Sequence, residues 1–424
     1  MARNMKDSGI EWIGEIPEGW ETCLYKYCCS VQPGYPFDSA KFSNSSTDGF
    51  PLIRIRDITS GEIQTYYTGE YLPNYIVTAG DLLVGMDGDF NVRWWNNDAA
   101  LLNQRCCRVT EKDSVLRRFL YYVLPFTLQH INTLTYATTV KHLANGDILN
   151  SFIAFPSLPA QQNIVHYLDT VCSEIDAMLS KTRSSIEEYK KLKQSVITQA
   201  VTKGVRGERE MKDSGVEWIG EIPKEWSTPK IKRLHNGLTD GTHGTFNRID
   251  SGHILLSSKN VREFGIQLGE NESFISEADY NLITANGFPQ KDDVLLCCIG
   301  ASIGRCTLYE FEEAMAFQRS VIFIRCNSLI LPRMMMYDLR SSNTLLQEQL
   351  LVNQSAQAGL YQGLVSEIFI SLPPISEQKE IIAYLDAKCA EIDRLIAKKE
   401  QLVKELESYK KSLIYEVVTG KREV

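Results

Sequence analysis

The sequence predicts an α/β (α+β) protein made by internal duplication. Two mixed α/β domains are expected to be separated by two long antiparallel helices and related by a pseudo-twofold repeat. Three observations predict this. Residues 152–207 recur as residues 369–424 without a gap: Phe152-Ile153, Pro156, Gln161, Ile164, Tyr167-Leu168-Asp169, Cys172 and Glu174-Ile175-Asp176 return at a constant offset of 217 (369 − 152). A second repeat returns Met5-Lys6-Asp7-Ser8-Gly9-Ile10-Glu11-Trp12-Ile13-Gly14-Glu15-Ile16-Pro17 almost letter for letter as Met211 to Pro223, with Trp20 and Trp226 following. Between the repeats lie two stretches with similar strand patterns and dissimilar polar residues.

The chain therefore divides in order into a cap segment (1–20), a first domain (21–151), a central spacer helix and linker (152–207), a repeated cap (208–226), a second domain (227–368) and a C-terminal spacer helix (369–424). The polar run Val205-Arg206-Gly207-Glu208-Arg209-Glu210 joins the halves. The first cap begins the chain and the second follows the first helix directly. A pseudo-twofold then requires the end of the last helix, near Gly420, to lie close to Met5.

Each spacer reads as one helix. Pro159, and Pro373-Pro374, end an extended segment and preset φ for a helix start. Neither copy then contains Gly or Pro until Gly204 and Gly420, where a glycine stops a helix. Some forty residues at about 1.5 Å each give a rod of roughly 60 Å. The expected apolar stripes are Leu168, Val171, Ile175, Met178, Tyr189, Leu192 and Val196 in the first helix, and Leu385, Cys389, Ile392, Ile396, Val403, Leu406, Leu413 and Val417 in the second. A long helix with one narrow seam is not stable alone, so the two stripes are expected to cover each other.

Within the domains, Pro51–Ile58 aligns with Ile254–Val261 as a strand running into a polar loop, and Gly80–Val84 aligns with Asp292–Leu296. Glycine loops follow, Asp87–Arg93 against Ile299–Arg305, then Ala100–Arg105 against Ala314–Arg319. Helices are expected near Leu116–Leu128 and Met334–Leu351. Each domain is thus a mixed α/β body dominated by strands.

Composition narrows the function. A chain of 424 residues with 43% hydrophobic residues supports two or three cored domains. No apolar run approaches membrane-spanning length and the N-terminus lacks a signal-peptide hydrophobic region, so no membrane partner is expected. Eleven cysteines without a disulfide-rich layout point to a reducing cytoplasm. The neighbours Cys28-Cys29, Cys106-Cys107 and Cys297-Cys298 are read as buried thiols, because adjacent residues of a strand face opposite ways and make poor joint metal ligands. A net charge of −8 counts against nucleic acid as a partner without excluding it, since binding depends on local charge and partner subunits can add to it.

No phosphate-binding glycine loop, dinucleotide fingerprint, His-Glu-x-x-His or Asn/Asp-Pro-Pro-aromatic motif is present. Glu188-Tyr189-Lys190 is a solvated pair on a charged helix face, and Asp87 and Asp89 serve a turn before they serve a cation. Two unlike domains on a spacer suit bipartite recognition.

The Asp7–Pro17 segment, the Pro-Pro-Ile-Ser-Glu-Gln-Lys-Glu-Ile-Ile run at 373–382, Tyr384-Leu385-Asp386 with Ile392-Asp393, and Val417-Val418-Thr419-Gly420-Lys421 together resemble the specificity subunit of type I restriction–modification systems over essentially the whole chain. The resemblance implies two target-recognition domains, each reading half of a split DNA sequence, in a non-catalytic scaffold. It also implies as partners double-stranded DNA, two modification subunits performing adenine N6 methylation, and restriction subunits. S-adenosylmethionine, ATP and Mg belong to those partners, and this subunit binds no cofactor or metal of its own. The alternatives are a bivalent protein-binding adaptor without DNA specificity, or a self-sufficient nuclease or methyltransferase.

Base reading favours Arg or Lys on guanine and Asn or Gln on adenine, presented from loops. The first domain offers Arg54, Arg56, Asn91, Arg93, Gln104 and Arg105. Arg54 and Arg56 equally fit the exposed face of a plain strand. The second offers Asp240, Thr242 and His243 of the loop Thr239-Asp240-Gly241-Thr242-His243-Gly244-Thr245, with Ser257, Ser258, Lys259, Asn260, Gln318 and Arg319. The loop resembles one in many such recognition domains, and His243 equally suits capping its own turn. Gln104-Arg105 and Gln318-Arg319 are expected at the same place in both halves, as phosphate contacts that position without specifying. Trp12 and Trp218 either meet two copies of one partner or anchor the caps on the helices.

Half-sites on one face of a duplex recur at about 34–36 Å, so spacer length is expected to fix their separation. Lengthening both helices by one heptad should change the unspecified gap in the methylated motif and leave both half-sites intact. Methylome sequencing showing altered bases within a half-site would refute this.

Overall fold

The computed structural model describes residues 3–134, 142–353 and 359–424. The chain divides into two compact units, Met1–Thr182 with Leu402–Val424, and Arg183–Gln401. The central helix, Leu158–Lys203, and the C-terminal helix, Ile375–Val418, each contribute one end to either unit.

In the first unit the cap is a small antiparallel hairpin, Met5–Asp7 on Glu15–Pro17. Behind it a four-stranded antiparallel sheet runs in the order Val92–Trp94, Leu82–Gly85, Cys106–Glu111, Cys29–Pro33. The two-residue period of its strands gives it two apolar faces. Leu82, Val84, Cys107 and Val109 pack with Phe119, Leu120 and Val123 of helix Arg117–Leu134 and with Leu168 and Ile175 of the central helix. Leu83 and Cys106 face the other way, joining Ile53, Ile58, Val77, Trp95 and Leu102. A second sheet there contains one parallel pair, Phe50–Ile53 with Ala100–Leu102.

The second unit repeats this plan. Its four-stranded sheet runs His235–Asp240, Val321–Cys326, Val294–Cys297, Cys306–Leu308, and its parallel pair is His253–Leu256 with Ala316–Phe317. Cys297 and Cys298 fall into opposite cores, as do Cys106 and Cys107. Cys28 and Cys29 do not: Cys28 closes the short helix Tyr25–Cys28, and both enter the same core. All eleven cysteines are free thiols, and burial pushes Cys297 and Cys298 up to about 12.

The same bonds dock each domain on its helix. Gln161, fully buried, accepts from Leu116 N–H (2.9 Å) and donates to the Ser114 and Pro156 carbonyls (3.1 and 2.9 Å). Gln378, its counterpart, accepts from Leu331 N–H (2.8 Å) and donates to the Leu329 and Pro373 carbonyls, both at 2.9 Å. Two turns on, Asp169 takes the Tyr122 hydroxyl (2.5 Å) and Arg118 (2.7 Å), and Asp386 takes the Tyr337 hydroxyl (2.7 Å) and Arg333 (3.3 Å). The two helices meet within each unit through one duplicated ion pair, Asp176 with Lys410 at 2.6 Å in the first and Asp393 with Lys193 at 2.9 Å in the second.

Several expectations change. In the central helix Met178 and Leu192 are 54% and 47% exposed, while Leu168, Cys172, Ile175, Leu179, Ile186 and Lys193 are buried. The heptad runs one position later than a count of the most apolar side chains suggests, because it passes through Cys172 and the ion-paired Lys193. The stripe expected in the C-terminal helix is buried or half-buried throughout. The strand of Pro51–Ile58 ends at Ile53, and where a polar loop is expected Ile55–Ser60 is a helix whose start is held by Asp57 Oδ2 accepting from Arg54 N–H at 2.8 Å. Over Met334–Leu351 there are two helices, Pro332–Leu339 and Ser342–Asn353, with the Ser341 hydroxyl capping the second. Gly204 and Gly420 close the long helices at φ +76° and +73°. A Cβ on Gly420 would lie 2.4 Å from Pro17, which pairs with Met5, so the last helix ends at the first cap as the repeat requires.

Removing the amide of Gln161 or Gln378 leaves one backbone N–H and two carbonyls without their partner, at about 1–3 kcal/mol for each group that water does not reach. Gln378→Ala should lower the denaturation midpoint of the intact chain as strongly as a large core truncation, whereas a loss below about 1 kcal/mol would refute the docking role.

Burial pushes Asp338 up to about 7, against the Thr344 hydroxyl and Ser371 N–H, and Glu348 up to about 8. Glu348 Oε1 is buried with no partner among the described residues. The folded state holds these protons more tightly than the unfolded chain. Their stabilising contribution is therefore full below the ordinary carboxylate range and lost as pH rises through about 7–8. Glu348→Gln should raise thermal stability most above about pH 8 and flatten the decline in pH scans; an unchanged slope would refute this.

Candidate nucleic-acid interface

In the second unit a loop is locked to the end of the parallel strand pair. Gly241 N–H donates to Val321 O (3.0 Å), and a Cβ there would sit 2.3 Å from Gln318 O, so only glycine allows the approach. Thr242 N–H donates to Phe317 O (2.7 Å) and Arg319 N–H to Thr242 O (3.0 Å). The Thr242 hydroxyl accepts Gly244 N–H at 3.1 Å. From the neighbouring turn Ser258 N–H reaches the Ser320 hydroxyl (3.0 Å), and Gln318 N–H donates to Leu256 O (2.8 Å). Thr242, Ser257, Ser258, Gln318 and Arg319 therefore come together at one edge.

His243 is 62% exposed in its side chain, with Nε2 at 2.6 Å from Asp240 Oδ2, while Gln362 Nε2 donates to Asp240 Oδ1 at 2.5 Å. Asp240 is thus a half-buried support rather than a reading group. Asn260 is 1% exposed and committed to the fold: Oδ1 accepts Ser257 N–H (3.0 Å), and Nδ2 donates to Gln267 O (3.1 Å) and Glu272 Oε1 (2.8 Å). Gly269 N–H, with Lys259 and Asn260, holds the Glu272 carboxyl below its usual range. Lys259 reaches it at 3.0 Å while keeping 55% of its side chain exposed.

The first unit builds the same edge. A Cβ on Gly34 would lie 2.2 Å from Asn103 O, Tyr35 N–H donates to Leu102 O (2.9 Å), and Gln104 N–H donates to Tyr35 O (3.0 Å). Gln104 and Arg105 are exposed here, and Arg54 is exposed with its guanidinium 5.8 Å above the Phe42 ring. Arg56 stands beside the edge, donating to the Thr65 hydroxyl at 2.8 Å and lying 3.4 Å from Asp57. Asn91 has an exposed side chain, and its carbonyl accepts Gly85 N–H. Arg93 is spent locally: it donates to the Ile58 and Thr59 carbonyls at the end of helix Ile55–Ser60.

Strand register corrects two alignments. Leu102 and Phe317 hold equivalent places, since they pair with Ile53 and Leu256. Asn103 therefore matches Gln318, and Gln104 matches Arg319. The two Gln-Arg dipeptides are one residue out of step, so their shared letters do not mark equivalent places. Likewise Gly85 N–H bonds Asn91 O where Cys297 N–H bonds Arg305 O, so Asn91 corresponds to Arg305, and the second glycine loop is two residues longer.

Sequence reasoning missed Asn103, His142 and Gln362. His142 Nδ1 lies 2.7 Å from Asp87 Oδ1, which also faces Arg105 at 3.5 Å. Only the shared glycine before Tyr35 and Thr242 could have signalled Asn103; nothing local marks His142 or Gln362. Asp87 serves these pairs, and no cluster able to hold a metal ion occurs among the described residues. Trp12 and Trp218 are half-buried. The Trp12 carbonyl accepts the Tyr415 hydroxyl at 2.9 Å, and Trp218 Nε1 is buried, as anchoring on the helices requires.

The arrangement supplies rigid backbone loops with exposed Arg, Lys, Gln and His, and no nucleophile–base pair among these side chains: it can bind and discriminate. Residues 17–188 and 255–406 match the family described as type I restriction modification DNA specificity domain. The chain is 28% identical over 423 residues to the type I restriction enzyme EcoBI specificity subunit of Escherichia coli, covering 96% of this chain and 88% of that one. It is 26% identical to the MjaVIII specificity subunit of Methanocaldococcus jannaschii, covering 96% and 93%. Its fold matches a chain from a structure of complex assembly and conformational transition in the type I R-M system, with a TM-score of 0.68 at 15% identity over 96% and 99% of the two chains. Internal duplication and these likenesses agree: the chain belongs to the specificity subunits of type I restriction–modification systems, DNA-recognition components rather than enzymes.

Proposed function

We propose that this chain reads an asymmetric bipartite DNA site, one half-site per domain. One observation carries the reading: both edges share their backbone bonds and differ in the letters they display. Tyr35 stands where Thr242 does, Arg54 where Ser257 does, Arg56 where Lys259 does, and Gln104 where Arg319 does. Equal scaffolds with unlike donors and acceptors suit two different half-sites in the major groove. In the first domain Arg54, Arg56, Gln104 and Arg105 carry the contacts; in the second Thr242, His243, Ser257, Ser258, Lys259, Gln318 and Arg319 do.

Two modification subunits are the expected partners, one for each copy of the repeat, with restriction subunits joining them. Exposed apolar residues on the long helices support this, because they too are duplicated: Met178 with Leu395 (395 − 178 = 217) and Leu192 with Tyr409 (409 − 192 = 217). S-adenosylmethionine, ATP and Mg are assigned to those partners, and the free thiols suit a cytoplasmic complex.

Gel-shift assays of the chain with and without a modification subunit, and methylome sequencing of cells carrying the intact system, test the reading. A split, non-palindromic motif is expected. Arg319→Ala should relax specificity at one position of one half-site, at about 1–3 kcal/mol, as for a base contact. Uniform weakening across sequences with a salt slope lower by about 1 would reassign Arg319 to the phosphates.

A further inference from the structure

The structure assigns to His243 a specific letter-reading role: its ring presents a hydrogen-bond acceptor to DNA and selects a base carrying an exocyclic amine. This deepens the proposed DNA reading and rests on it. An ionised carboxylate only accepts hydrogen bonds, so the Nε2 atom lying 2.6 Å from Asp240 Oδ2 carries the proton. In the neutral imidazole the other nitrogen, Nδ1, then holds a lone pair. It has no hydrogen-bond partner among the described residues, and the side chain is 62% exposed.

The support cannot easily turn away. Gln362 Nε2 occupies Asp240 Oδ1 at 2.5 Å, leaving Oδ2 for the imidazole. The loop is pinned on both sides of Thr242 by its bonds to Phe317 and Arg319, and turned by Gly244 N–H on the Thr242 hydroxyl. Asp240 is therefore a positioning residue, fixing the tautomer that His243 shows. In the major groove an acceptor complements adenine N6 or cytosine N4 and meets only like acceptors at guanine N7 and O6. The counterpart of Thr242-His243 in the first domain is Tyr35-Pro36, which has no such group, so the selection belongs to one half-site alone.

Single-molecule methylome sequencing of cells carrying the intact system with the wild-type chain, His243→Ala or Asp240→Asn tests this. With His243→Ala, one amine-bearing position of one half-site should become degenerate while the other half-site is kept. With Asp240→Asn, Oδ1 stays with Gln362 and the side-chain amide faces Nε2, which moves the ring proton to Nδ1. Preference at that position should then turn towards guanine, a change that mere loosening of the loop would not produce. In binding assays with the assembled wild-type complex, purine replacing adenine, or 2-pyrimidinone replacing cytosine, removes only the amine. The replacement matching the motif should weaken binding about 5- to 100-fold, and the two duplexes tell which base is read. An unchanged motif with both variants, or degeneracy at a position without an amine, would overturn the assignment. If His243→Ala abolishes methylation everywhere, undiminished wild-type binding to every amine-deleted duplex would overturn it. A wild-type chain that yields no motif at all would instead overturn the DNA-reading role on which it rests.

Discussion

The buried amides of Gln161 and Gln378 fix each recognition domain to the first turn of its long helix. Each amide closes three hydrogen bonds in a site with no solvent exposure, and two of the three reach groups outside the helix's own approach strand. A buried polar group of this kind has no good alternative arrangement, because water cannot replace what a shift would break. The Tyr122–Asp169 and Tyr337–Asp386 bonds repeat the constraint two turns later. Whatever the edges display is thereby held in a defined orientation on the helix that bears it.

The duplication also shows how one scaffold can present two different sets of side chains. Positions that bond through backbone atoms are free to vary in side chain without cost to the loop. Gly34 and Gly241 are kept small because the opposing carbonyls leave no room for a Cβ. The residues beside them, Tyr35 and Thr242, differ in size and shape. Asp57 and Asn260 differ in charge, yet both use a side-chain oxygen to hold the turn after the parallel strand. Conserving geometry through the main chain releases side chains for recognition.

Some residues with base-reading chemistry are engaged elsewhere. Arg93 ends a helix, Asn260 fills a buried turn and Asp240 braces His243. Sequence could name these residue types as donors and acceptors, but tertiary neighbours determine whether a donor is already satisfied. The same limit applies to the helix seam, where Lys193 occupies a core position because Asp393 lies opposite. Leu192, the more hydrophobic neighbour, is left 47% exposed.

The sequence by itself determined the duplication, the long helices, their terminal glycines, the closure of the last helix on the first cap and the family. These are encoded as repeats and periodicities, which survive in one dimension. Only the tertiary structure decided the register between the two halves, the true position of the heptad, the break at Arg340-Ser341 and the partners of Asp87, Asp240 and Asn260. Those depend on contacts between residues far apart in the chain, as between Asp240 and Gln362, and a local pattern carries no record of which distant group satisfies a hydrogen bond.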